Sequence, residues 1–200
     1  GATLTVSVPM ALDTVMMEED AQVVFTATEG KFTARSLRFA PLLSATGWKA
    51  FGMPFTSAVI KNSTEEEISA PSVQNVDNGI WFARLKDNKT PEFVVDESAF
   101  GMAGLWAANG DTYTISSEGA FEFKTLEEPA APTETGTFLM CSNPNTFTIT
   151  LKQSAYILTT DGTSFEQEAN PEIKPFQSFV LTDAKTLSTL RSLRIGDGVV

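Results

Sequence analysis

Turn-forming residues interrupt this chain roughly every ten residues, a rhythm that leaves no room for the crossover helices a parallel α/β sheet needs. Between the turns the side chains alternate. Leu4, Val6 and Val8 alternate with Thr5 and Ser7, and residues 23–28 repeat that composition beyond the acidic turn at 18–20. Residues 31–39 read as a strand behind Glu29-Gly30. Runs at 48–55 and 58–61 follow, broken by Pro54, which cannot donate to a central ladder. The polar stretch 65–78 reads as a loop closed by the turn dipeptide Asn78-Gly79. Further runs occupy 80–86, 92–95, 102–107, 112–116, 120–126, 137–141, 146–151, 155–159, 164–167, 176–181 and part of 189–195. Leucines at 181, 187, 190 and 193 predict one short C-terminal helix within 181–193, with Asp183 as its N-cap. The expected fold is therefore all-β, an antiparallel β-sandwich of about a dozen short strands with less than about 15% helix.

Charge and chemistry narrow the function. A net charge of −11 over 200 residues, with basic residues few and scattered, provides no footprint for nucleic acid and disfavours an anionic bilayer. No apolar run approaches the roughly 20 residues of a membrane-spanning helix. Histidine is absent, which removes His-based triads, His-ligated zinc and the commonest general base. The single cysteine, Cys141, can form no intrachain disulfide and reads as a buried, inert thiol. Gly1 runs directly into strand-like sequence without an initiator Met, and reads as an expression scar left where an export signal or larger upstream region was trimmed away.

Carboxylate pairs can run glycoside hydrolysis without histidine, so the acidic clusters come first among candidate sites. They are Glu18-Glu19-Asp20, Glu65-Glu66-Glu67 and Glu127-Glu128, all in expected loops, where solvated charge is the ordinary state. Asp77-Asn78-Gly79 and Asp161-Gly162-Thr163 are turn sequences without calcium-loop spacing. Nucleophile elbows, phosphate loops and metal-ligand spacings do not occur. No catalytic, cofactor or metal residue is assigned. Asn62-Ser63-Thr64 and Asn88-Lys89-Thr90 fit the N-glycosylation pattern, and Asp13-Thr14-Val15 fits a short O-glycosylation acceptor of Bacteroidetes. Of the three tryptophans, Trp48 and Trp81 read as core. Trp106, near the turn Asn109-Gly110, is expected to be the most exposed and is the one candidate ligand contact.

Two segments carry a family resemblance. Gly47-Trp48-Lys49-Ala50-Phe51-Gly52-Met53-Pro54-Phe55 resembles the Gly-Trp-x-x-(Leu/Phe)-x-(Leu/Met)-Pro-Phe signature of a β-domain near the C-termini of many secreted Bacteroidales proteins. Ile173-Lys174-Pro175-Phe176-Gln177-Ser178-Phe179 resembles its late Ile-x-Pro-Phe-Arg-Ala-Tyr/Phe strand, with Gln177 where the family usually has Arg. Between them, Ala155-Tyr156-Ile157-Leu158 with Phe165 is similar to the family's Tyr-x-Leu…Phe hairpin. The motifs are structural hallmarks and transfer no active site. Because they straddle the linker-like stretch 127–135, that stretch is expected to be a surface loop within a single domain over 1–200. The expected core includes Trp48, Phe51, Phe55, Trp81, Phe138, Tyr156, Phe176 and Phe179, with the prolines at 54 and 175 ending or kinking edge strands.

The resemblance implies a non-catalytic module of a secreted or outer-membrane-anchored bacterial protein, serving adhesion, assembly or display. Its expected partner is a protein or glycan at the cell surface. The alternatives are a carbohydrate-binding module and an accessory domain of a glycoside hydrolase. A flat exposed aromatic strip would favour the first alternative, and a cleft with two facing carboxylates the second.

Overall fold

A computed structural model describes residues 1–18, 20–26, 32–40, 48–52, 58–68, 80–95, 103–108, 113–117 and 120–195. Among them the chain is all-β and sandwich-like, with nineteen short strands and one short helix.

The N-terminal strands change layers at every turn. β1 (Thr3–Val6) pairs with β3 (Gln22–Phe25), and β2 (Met10–Glu18) pairs with β4 (Phe32–Ala40), both in parallel. Val6 and Val23 from the first pair share one core with Val15, Met17, Phe32, Leu37 and Phe39 from the second. Because the chain crosses to the opposite layer and back, strands returning to one layer run in the same direction. These two parallel pairs depart from the antiparallel expectation, and the other ladders among the described residues are antiparallel.

On its other edge β4 carries β12 (Phe121–Phe123) and β11 (Thr114–Ser117), and the sheet continues through β6 (Ala58–Lys61) to β7 (Glu67–Ile68). β7 lies inside the stretch expected to be loop. Halfway along β4 the inward-facing residues change phase, from Phe32 and Ala34 to Leu37 and Phe39. β2 steps at the same level, from Leu12 to Val15 and Met17. An exposed Asp13–Arg35 ion pair at 3.3 Å and a hydrogen bond between the Thr14 and Ser36 hydroxyls at 2.9 Å mark the step. Such a step bends a sheet and increases its twist.

A second sheet runs in the order β5 (Lys49–Phe51), β10 (Gly104–Ala108), β8 (Ile80–Leu85) and β9 (Phe93–Val95). A third runs β13 (Phe138–Ser142), β18 (Ser178–Thr182), β15 (Ala155–Leu158), β16 (Ser164–Glu168) and β19 (Ser192–Arg194). The second sheet lies between the other two. One of its faces sends Phe51, Phe82 and Trp106 into the N-terminal core, while Ala83, Leu85, Leu105 and Ala107 pack against Phe138, Tyr156, Phe165 and Val180 of the third sheet. The far face of that third sheet buries Cys141, Ala155, Phe179 and Leu181 with Ile173. Ile173 belongs to a two-stranded sheet of β14 (Ile149–Thr150) and β17 (Glu172–Ile173).

Strands covered on both faces read as continuous apolar runs, as Gly104–Ala108 does. Gly104 is fixed by the neighbouring strand of its own sheet: a Cβ there would lie 2.2 Å from the Phe82 ring of β8.

The expected core aromatics are buried at Trp48, Phe51, Phe138, Tyr156, Phe176 and Phe179, whereas Trp81 is half-buried. Phe55 and Pro54 lie outside the described residues. Burying each such ring contributes roughly 1.5–3 kcal/mol of transfer free energy. Phe176 does not begin a strand as expected. It occupies a turn at φ 60, and β18 starts at Ser178.

Residues 127–133 carry no regular structure, but side chains hold this stretch along its length. Asn145 pairs with the Leu126 backbone through both ends of its amide, at 2.8 and 3.2 Å. Gln153 donates to the Pro129 carbonyl, and Lys89 forms an ion pair with Glu134. The predicted helix is present as α1 (Ala184–Thr189). Its N-cap, Asp183, accepts from the Lys185 and Thr186 amides and also from the Gly136 amide, at 2.8 Å, at the end of that stretch.

Candidate functional site

Asn143 organises the segment that shapes a cleft beside β5. This residue is fully buried and directly follows β13, within the run Cys141-Ser142-Asn143-Pro144-Asn145. Its Nδ2 donates to the carbonyls of Phe147, Ile173 and Lys174 at 2.8, 3.0 and 3.0 Å, and its Oδ1 accepts from the Asn145 amide at 2.9 Å. Its own backbone pairs with Phe176 and Gln177. The turn Lys174-Pro175-Phe176-Gln177 is thereby held against β5: the Gly52 amide donates to the Phe176 carbonyl at 2.7 Å, and Phe51 bridges Gln177.

Between β5, this turn and the end of β15 lies a cleft of about 290 Å³. Trp48, Ala50, Phe51, Leu158 and Pro175 form its apolar walls, and Lys49, Lys174, Gln177, Thr159 and Thr160 supply its polar groups. The Lys174 ammonium contacts Asp20 at 2.6 Å, and that hydrogen bond, with the charge of Lys174, holds the Asp20 carboxyl below its ordinary range. The Gln177 amide has a defined orientation. The Lys174 backbone N–H can only donate, so the atom it meets at 2.9 Å is Oε1, and Gln177 offers its NH₂ end as a donor. Thr159 is engaged in its own hairpin, contacting Asp161 and Ser164. Among the described residues, no carboxylate lines the cleft.

The residues singled out from sequence fall elsewhere. Trp106 is not a surface ligand contact: it is fully buried, stacked on Phe51 at a centroid distance of 4.9 Å with Phe82 against it edge-on. The turn at 109 lies outside the described residues, and burial on both faces of the second sheet overrides proximity to a turn. Glu18, Glu65, Glu66, Glu67 and Glu127 are exposed, Glu128 is half-buried, and Glu19 and Asp77 lie outside the described residues.

Other acids serve turns. Asp161 accepts from the Thr159 hydroxyl and from Thr163, and Asp87 accepts from the Lys89 and Thr90 amides at 2.7 Å; both are held below the ordinary range by these bonds. Among the described residues, no three His, Cys, Asp or Glu side chains converge to hold a metal ion. Asn62 closes a turn by accepting from Thr64 and Glu66. Cys141 is buried in β13, and burial pushes its thiol up to about 12.

Sequence reasoning missed Lys49, Lys174 and Gln177 as a set. The signal was present, because all three lie inside the two quoted motifs, and Leu158 of the hairpin motif forms the opposite wall. Among the described residues, no helix is long and apolar enough to cross a membrane. Compared with known proteins, the chain matches no family model, no curated protein and no solved structure.

Proposed function

We propose that this chain is a non-catalytic binding module of a secreted or surface-anchored bacterial protein, acting in adhesion, assembly or display. The observation that carries this reading is the composition of the cleft. Its lining joins apolar walls to the side chains of Lys49, Gln177 and Lys174, the last paired with Asp20, and no carboxylate is among the described lining residues. A mostly apolar cleft with a few polar groups suits binding, whereas hydrolysis needs a nucleophile or a water-activating base.

The acids displaced from their usual affinity support the same reading. Asp20, Asp87, Asp161 and Asp183 are all displaced downward, toward permanent ionisation, which is the opposite of what a general acid requires. The resemblance of the 47–55 and 173–179 segments to a β-domain of secreted Bacteroidales proteins supports the setting. A panel of chromogenic glycosides and esters tests the reading: no turnover is expected. Turnover that disappears when one pair of carboxylates is replaced would overturn it.

The cleft also favours the alternative of a carbohydrate-binding module. Its polar groups suit hydroxyl and carboxylate oxygens, although the flat aromatic strip of a crystalline-glycan binder does not form around Trp106, which is buried.

A further inference from the structure

We infer that Thr14 is a site of O-glycosylation, its hydroxyl taking a glycan from a diphosphate-activated donor in the cell envelope. The inference rests on the exported setting proposed above and is independent of the cleft. The acceptor sequence is the first observation. Asp13-Thr14 is followed by Val15, whereas the other Asp-Thr pair of the chain, Asp111-Thr112, is followed by Tyr113.

Exposure is the second. A transferase that reads Asp-Thr must reach both side chains at once, yet neighbours in a regular strand face opposite sides. The step in β2 removes that obstacle. Asp13 and Thr14 are both exposed, the Asp13 side chain by 78%, while Val15 is buried and anchors the strand. Their contacts, the ion pair with Arg35 and the hydroxyl bond to Ser36, lie in solvent, where such bonds are weak and readily exchanged.

Place in the fold is the third. Among the described residues β2 pairs with β4 alone, so no strand covers the outer edge of its nine residues, and Thr14 stands at its midpoint. Met10 and Met16 are exposed on either side of it. Such an edge is a template for pairing with another chain, and a bulky, hydrophilic group at its centre blocks that pairing.

The chemistry is an ordinary glycosyl transfer. The Thr14 oxygen attacks the anomeric carbon of the donor, a C–O bond forms there, and the bond from that carbon to the diphosphate breaks. The hydroxyl proton passes to a base on the transferase, and the diphosphate carrier leaves with the bonding electron pair.

The full chain, fused to an export signal and produced in a Bacteroidetes host, should show a discrete increase in intact mass. Tandem mass spectrometry of its peptides should place that increase on Thr14. The same chain without the signal, retained in the cytoplasm, should keep the unmodified mass. Thr14→Val, which preserves the β-branched shape, and Asp13→Asn should each abolish the increase. Thr14→Ser, which keeps a hydroxyl, and Ser36→Ala, which removes only its partner, should retain it. An exported wild-type chain of unmodified mass, or an increase that survives Thr14→Val or Asp13→Asn, would overturn the inference. Neither result touches the binding-module reading, which the panel of glycosides and esters tests separately.

Discussion

The Phe176 ring meets the Phe39 ring edge to face, with centroids 5.4 Å apart and planes 80° apart, from a backbone held at φ 60. Phe176 is the third residue of a turn closed by the Gln177 amide on the Lys174 carbonyl at 3.1 Å, with Pro175 before it. That position needs a left-handed backbone, which glycine adopts freely and a bulky residue only at a cost of about 1–3 kcal/mol. Burial of the ring in the N-terminal core offsets the cost. Phe176→Ala should therefore lose about 3–5 kcal/mol in urea denaturation. Phe176→Gly should lose less than Phe176→Ala, although it removes more atoms, because it relieves the backbone. The reverse order would show that the turn is not strained.

Phe82 on the adjacent strand leaves no room for a side chain at Gly104. A methyl group at 104 would begin 2.2 Å from the Phe82 ring and 2.9 Å from the Ala83 carbonyl. The Gly104 amide also donates to the Ser178 hydroxyl of the neighbouring sheet, so β10 cannot slide away freely. Gly104→Ala should destabilise by about 1–3 kcal/mol, the range for overpacking. In a Phe82→Leu background the same change should cost less. A double-mutant cycle with no coupling would show that the clash is relieved elsewhere.

The fold class was legible because short strands between turn residues leave few architectures. What alternation misses is where its own premise fails. β2 went unread because its phase steps at Asp13 and Thr14, so Leu12, Val15 and Met17 all turn inward without a regular period. Trp106 was misjudged for a related reason. Its run Gly-Leu-Trp-Ala-Ala has no polar alternate, which marks a strand covered on both faces rather than one near the surface. The cleft was half legible. The motif residues stood out as structural hallmarks, but their meeting depends on Asn143, whose three carbonyl partners lie as far as 31 residues away.

Cys141 should be chemically silent in the folded protein. Desolvation raises its thiol to about 12, so near pH 8 the nucleophilic thiolate is scarce, and the side chain is 8% exposed. Alkylation with iodoacetamide at pH 8, followed by mass spectrometry, should give no adduct over the time in which the urea-unfolded chain is fully labelled. Equal labelling rates in the two states would contradict the placement of β13 within the core.

The Asp183 carboxylate gives the C-terminal half a dependence on acid. It accepts from the Thr186 hydroxyl and from the amides of Thr186, Gly136 and Lys185, and these bonds lower it from 3.8 to about 2, against the opposing effect of desolvation. A group whose folded affinity for protons is depressed contributes stability above its unfolded pKa, and loses it as the pH falls through the folded value. The contribution is thus complete at neutral pH, begins to fade near 3.8, and is gone below about 2. Other acids titrate in the same window, so the measurement must isolate this one. Asp183→Asn keeps an oxygen for capping the helix, but it carries no charge and places an NH₂ where the Gly136 amide now donates. The difference in unfolding free energy between wild type and Asp183→Asn should be constant from pH 7 to about 5 and shrink between about 4 and 2. A difference that stays constant down to pH 2 would mean that the carboxylate acts as a neutral acceptor and that its ionisation contributes nothing.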